Sequence, residues 1–180
     1  MTAPTQMPEF SRMTPLSEIG LKPVRHNLLA SNEERTALAK RFGLTALDSL
    51  TADVALSSDD IGIIATGSLA ADVMQVCVVS GAPVAAHIAE SFAIRFSPEP
   101  IFEPDSDIEL EVEDTDSMFH DGRVIDLGEA VAQTLALAID PFPRSPNAEA
   151  VLQEAGLKDE TPTGPFAAFA ALAALRKGAD

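Results

Sequence analysis

The 180-residue sequence contains no tryptophan, no tyrosine and one cysteine, and it is short of positive charge. Nine phenylalanines are its only large aromatic residues. A core built from this chain must therefore draw on Ala, Val, Leu and Ile, and the 46% hydrophobic content is sufficient for one. A single cysteine, Cys77, excludes an intrachain disulfide and a multi-cysteine zinc cage. The histidines His26, His87 and His120 lie far apart and beside no metal-ligand spacing. No glycine-rich phosphate loop and no GxSxG turn is present, and Gly62, Gly67 and Gly81 are not spaced as a dinucleotide fingerprint. The opening residues, MTAPTQMPEF, lack the basic and apolar regions of a secretion signal. The uncharged stretch Val73 to Ala86 is too short to span a bilayer and is interrupted by Gln75, Ser80, Gly81 and Pro83. The sequence reads as soluble and cytoplasmic, with no membrane partner.

Charge is unevenly distributed. The formal net charge is −16, from 28 acidic and 12 basic residues. Residues 1–43 hold six basic and four acidic residues, whereas residues 99–129 hold twelve acidic residues and one basic. A chain this acidic is repelled as a whole by nucleic acid, so DNA is excluded as a partner and any RNA contact must be local or pass through a basic protein.

What the sequence does contain is strong structural punctuation. Gly122 to Pro146 reads GRVIDLGEAVAQTLALAIDPFPRSP. Val124-Ile125 predicts a short strand, and Asp126 with Glu129 forms an acidic capping box that starts a helix over 126–139. Leu127, Val131, Leu135 and Ala138 recur with the period of a buried helical stripe, and Pro141, Pro143 and Pro146 end it. Upstream, Thr14 to Val24 is expected to hold a short edge strand bounded by Pro15 and Pro23. Ser31 and Glu34 form a capping box for a helix that Gly43 stops. Arg35, Lys40 and Arg41 on that helix, with Lys22, Arg25 and His26 just before it, make the only basic neighbourhood.

From Leu47 to Phe96 the period changes to two. Leu50 to Leu56 predicts a half-buried strand, 57–62 a turn, and Ile61, Ile63 and Ala65 the start of a return strand. Val73 to Val79, apolar on both faces, suits a central strand, and 84–96 the next, with Glu90 on its inward side at a bulge or sheet edge. Ile108 to Glu113 alternates apolar residues with Glu109, Glu111 and Glu113, an acidic strand face that discourages edge aggregation. Calcium binding by 105–116 is disfavoured, because an EF-hand loop needs glycine where Leu110 stands. A short helix is expected at 148–155. A polar linker then leads to an amphipathic stretch carrying Phe166, Phe169 and Leu172.

Several pieces coincide in order: Cys77-Val-Val-Ser-Gly-Ala-Pro-Val, Glu90-Ser-Phe, Ile125-Asp-Leu-Gly-Glu, Leu135-Ala-Leu-Ala-Ile-Asp-Pro and Pro165-Phe-Ala-Ala-Phe-Ala-Ala-Leu. Together they resemble the YceD family, in the branch found in alphaproteobacteria, over roughly residues 10–177. The resemblance implies a role in accumulating 23S ribosomal RNA, hence in biogenesis of the large ribosomal subunit, and no catalytic residues. It also implies zinc in many members, through CxxC at the position of Cys77 and further cysteines after the proline-rich run. Here Ser80 replaces the second cysteine and Arg144-Ser145-Pro146 offers none, so no cofactor is expected.

These readings converge on a single α+β domain over 1–155. An antiparallel sheet of five to seven strands, curled or barrel-like, carries two packed helices, and 156–180 forms a linker and C-terminal helical tail. The expected function is non-enzymatic binding of rRNA or of a ribosomal protein. For direct RNA contact the candidate residues are Lys22, Arg25, His26, Arg35, Lys40 and Arg41, with Arg123, Arg176 and Lys177 as outliers. For a basic protein partner the candidate face is Glu109, Glu111 and Glu113. Two alternatives belong to other classes. A small-molecule carrier predicts a closed apolar pocket, and a hydrolase using Cys77 and His87 predicts the two side chains within hydrogen-bond reach.

Overall fold

A computed structural model describes residues 8–60, 62–98 and 116–156. The chain runs from strand β1 (Met13–Pro15) through a 3-10 turn at Leu16–Glu18 to strand β2 (Val24–Leu29) and helix α1 (Asn32–Phe42). Three long strands follow: β3 (Ala46–Ser58), β4 (Ile63–Val76) and β5 (Pro83–Pro98). Then come β6 (Asp116–His120), β7 (Val124–Asp126), α2 (Leu127–Ala138) and α3 (Ala148–Glu154). The expected α+β class is therefore observed, with three helices and two sheets among the described residues.

The main sheet has the order β2-β3-β4-β5-β6, and β1 pairs with β7 in a second, two-stranded sheet. Neither sheet closes into a barrel among the described residues. The sheet is antiparallel only as far as β5, because β6 pairs parallel to it, Ile94 opposite Asp116. The strand expected across 14–24 is divided. Pro15 ends β1, the chain turns at Leu16–Glu18, and a new strand starts only after Pro23. Val73 to Val79 is likewise not a strand of its own. β4 is continuous to Val76, and Cys77 opens the turn, its amide donating to Ala82 O and its carbonyl accepting from Gly81 N.

Alternation gives the sheet two unlike faces. Leu50, Ala52, Val54 and Leu56 of β3, Ala65, Leu69, Ala71 and Val73 of β4, and Ile88, Ile94 and Phe96 of β5 are buried together. Leu38 and Ala39 of α1, Leu127, Val131 and Leu135 of α2, and Phe10 complete this core. Ala138, the fourth member of the expected stripe, is partly buried against it. The opposite face carries small and polar residues, among them Thr51, Asp53, Thr66, Ser68 and Ser91, all exposed and left uncovered by the other described residues. Glu90 has the parity of the buried face, opposite Leu69, yet is exposed. Gly67 lets β3 and β4 approach closely: a Cβ there would stand 2.2 Å from Asp53 O.

Both helices start where their sequence signals stand. The Ser31 side chain accepts from Glu34 N while Glu34 accepts from Ser31 N, a reciprocal capping box. Asp126 caps α2 by accepting from Gly128 N and Glu129 N. The acidic box predicted there is only half formed, because the Glu129 carboxylate turns instead to Arg41 and Gln133.

Candidate functional site

Helix propensity and the Ser31 cap place the basic residues of α1, but the fold then uses most of their charge internally. Arg41 donates to Glu129 at 2.7 and 2.8 Å and to Glu9 at 3.0 Å, tying the end of α1 to the N-terminal segment and to α2. Its guanidinium is raised above its ordinary pKa chiefly by the Glu129 bond. Arg35 turns back to the Ala30 carbonyl at 2.8 Å and approaches Asn32 Oδ1 at 3.5 Å. Lys40 stays exposed. Arg25 sits opposite Ala55 on the uncovered sheet face. His26, opposite Val54, points to the other side, where it borders a depression with Thr14, Glu18, Leu28 and Leu127. Lys22 lies exposed in the turn before β2. The six predicted cations thus fall on both faces of the sheet and do not form one patch. Lys22, Arg25 and Lys40, together with the outlier Arg123, have no ion pair among the described residues. Glu109, Glu111, Glu113, Arg176 and Lys177 lie outside the described residues, as does the C-terminal tail.

Arg12 was not singled out by any local pattern, yet it has the densest contacts. Its guanidinium binds both Glu34 oxygens at 2.6 and 3.0 Å and the Leu29 carbonyl at 3.0 Å, and stacks 4.6 Å from the Phe10 ring centroid. The Glu34 carboxyl is consequently held down at about 2, mainly by Arg12, with burial opposing. These partners are separated by up to 22 positions, a distance at which sequence leaves no signature.

A second constellation forms where the β4–β5 turn meets the proline-rich exit from α2. Cys77 is buried, and its Sγ accepts from Ser145 N at 3.2 Å, Ser145 Oγ at 3.3 Å and Ser80 N at 3.4 Å. Ser80 Oγ lies 2.9 Å from Ser145 Oγ, which also reaches Asn147 Oδ1 at 2.7 Å. Donation first by Ser145 and then by Ser80 draws the thiol down to about 6, against the burial that would raise it.

His87 belongs to neither cluster. It bonds Asp72 at 2.7 Å on the exposed sheet face, and Asp72 also takes the Ser49 hydroxyl at 2.6 Å. The register puts His87 opposite Asp72, five residues before Cys77, or about 16 Å along the strand at ~3.3 Å per residue. The Cys77–His87 pair required by the hydrolase reading is therefore not assembled. The carrier reading fares no better. The depressions on the exposed face are open and lined by Arg25, Asn27, Asp53, Thr66, Ser68 and Ser91 rather than closed and apolar.

Among the described residues neither alternative site is assembled, and what the chain is like becomes informative. The sequence model of the family described as large ribosomal RNA subunit accumulation protein YceD matches residues 65–176. The chain belongs to the YceD family. No curated protein and no solved structure matches it. The YceD match covers the Cys77 turn, α2 and the proline-rich exit, and the family description fits a role in large-subunit rRNA accumulation. Among the described residues no helix is long and apolar enough to cross a membrane. The zinc that the YceD resemblance implies does not fit the donors present. Cys77 offers one sulfur, Ser80 and Ser145 offer hydroxyls that bond each other, and no group of three or more His, Cys, Asp or Glu among the described residues could hold a metal.

Proposed function

We propose that this chain is a non-enzymatic, cytoplasmic factor for 23S rRNA accumulation and large-subunit biogenesis, acting through a basic ribosomal protein rather than by gripping RNA itself. The observation that carries this reading is the internal use of cations. Arg12, Arg41 and Arg95 are paired with Glu34, with Glu9 and Glu129, and with Asp59. Arg35 is spent on a backbone carbonyl. What remains is a surface dominated by the −16 net charge, which repels phosphate and steers basic partners. The uncovered sheet face is also poor in the stacking rings that single-stranded RNA binding uses. It carries no phenylalanine from β2 to β5; its rings are His87, held by Asp72, and the exposed Phe119 of β6, opposite Ser97. The residues proposed to meet the partner are Glu109, Glu111 and Glu113.

The second reading, direct RNA contact through Lys22, Arg25 and Lys40, is favoured by their lack of carboxylate partners among the described residues. One experiment separates the two. Purified protein is titrated against a 23S rRNA fragment and, in parallel, against basic large-subunit proteins, over a salt series. Binding to a protein that is lost in Glu109→Lys/Glu111→Lys/Glu113→Lys, with no RNA binding, is the expected result. Salt-sensitive RNA binding that disappears in Lys22→Glu/Arg25→Glu/Lys40→Glu would replace it with direct contact.

A further inference from the structure

The Cys77 corner disagrees with the zinc that the family resemblance implies, and the disagreement is informative. Two segments 68 residues apart are brought side by side here. Val78 N donates to Pro143 O at 3.0 Å and Gln75 Nε2 to Asp140 O at 2.7 Å, while within the second segment Ala148 N donates to Ser145 O at 2.9 Å. In a zinc corner, four donors at about 2.0–2.3 Å from one ion would join such segments. We propose that in this chain a hydrogen-bonded knot of Cys77, Ser80, Ser145 and Asn147 occupies the place of that ion, so that the corner closes without metal.

Donors and acceptors balance without an ion. The sulfur is the common acceptor, taking two backbone amides and, alternately with Asn147 Oδ1, the single proton of the Ser145 hydroxyl. The Ser80 hydroxyl supplies the donor that Ser145 Oγ then accepts. Cys77 and Ser145 are both buried, so the two bonds between them are shielded from competition by water. The spacing of a metal site is nonetheless retained. Ser145 Oγ lies 3.3 Å from Sγ, close to the ~3.7 Å edge of a tetrahedron with Zn–S bonds of about 2.3 Å.

Three measurements test the knot on the full chain. Wild-type protein, purified without chelator and dialysed, should hold well under one zinc per chain by mass spectrometry. Its melting temperature should not move when EDTA is added. Ser145→Ala should lower that temperature by several degrees, and Ser80→Ala, at the more exposed position, by less. Ser80→Cys/Ser145→Cys/Asn147→Cys should take up one equivalent of cobalt(II) with thiolate charge-transfer absorption. One zinc per wild-type chain, or a melting point lowered by EDTA, would overturn the proposal. So would alanine variants that melt like wild type, or a folded triple-cysteine variant that binds no cobalt.

Discussion

Breaking the Arg12–Glu34 pair should measurably destabilise the fold, and the size of the effect follows from the geometry. Glu34 titrates at about 2 rather than 4.5. At about 1.4 kcal/mol per unit, that depression corresponds to roughly 3 kcal/mol if fully realised. The two side chains are 34% and 21% exposed, so solvent screening reduces the coupling to about 1–1.5 kcal/mol, toward the upper end because the pair is bidentate. Arg12→Ala also loses the Leu29 carbonyl bond and the Phe10 stacking, bringing its total cost to about 2–3 kcal/mol. With a urea slope of about 2 kcal/mol/M the midpoint should fall by about 1 M.

The assay is a double-mutant cycle in urea with Arg12→Ala and Glu34→Gln. Glutamine keeps an oxygen for the Ser31 amide, so the capping box survives and only the charge is removed. The pH dependence supplies a second arm. The folded-state pKa of Glu34 lies below its unfolded value, so the stabilisation is complete above pH ~4.5 and is lost as pH falls toward 2. The coupling should therefore shrink between pH 6 and pH 3.5. A coupling under about 0.3 kcal/mol at pH 6, or one that acid leaves unchanged, would refute the reasoning.

Arg41 and Lys40 are neighbours with opposite expectations. Arg41→Ala should cost about 1–2 kcal/mol through the Glu129 and Glu9 pairs, and Lys40→Ala within ~0.5, as read by urea melts. Leu135→Asp places an unpaired charge in the fully buried stripe of α2 and should abolish soluble expression; well-folded mutant protein would contradict the buried position. Gly67→Ala should cost more than about 2 kcal/mol, because the added methyl meets Asp53 backbone rather than a mobile side chain. A melting curve superimposable on wild type would show that β3 and β4 can separate there.

How much of this was legible depended on range. The Ser31–Glu34 box and the Leu127–Leu135 stripe are local patterns, and each produced the element it predicted; the two-residue period located β3 and β5, but Val73–Val79, expected as a strand of its own, is the end of β4 and the turn after it. β2 was missed because two prolines made 14–24 look like one edge strand, when Pro15 ends one strand and Pro23 precedes another. The parallel β5–β6 pairing has no signature in either strand. At the candidate site, composition identified which residues were basic but not which would be neutralised. Arg41 and Glu129 are 88 residues apart, and Cys77 and Ser145 are 68 apart. Such partners are set by the packing of whole elements, which no window of sequence contains.

The same distinction explains why the stretch IDLGE is so strong a signal yet carries no chemistry. Each of its residues meets the chain's own N-terminal region. Ile125 pairs with Thr14 across the β1–β7 ladder. Asp126 Oδ1 accepts from Arg12 N at 2.7 Å, and Leu127 N returns a bond to Arg12 O at 3.1 Å. Gly128 has no side chain because Phe10 O would stand 2.5 Å from its Cβ. Glu129 takes Arg41, which also holds Glu9. The matched region begins at residue 65, so every one of these partners lies outside it. Five consecutive residues are thus constrained by a segment they clasp rather than by a ligand they bind. Arg12 and Arg41, the two arginines that complete the clasp, are for that reason committed to carboxylates of the fold rather than free for RNA.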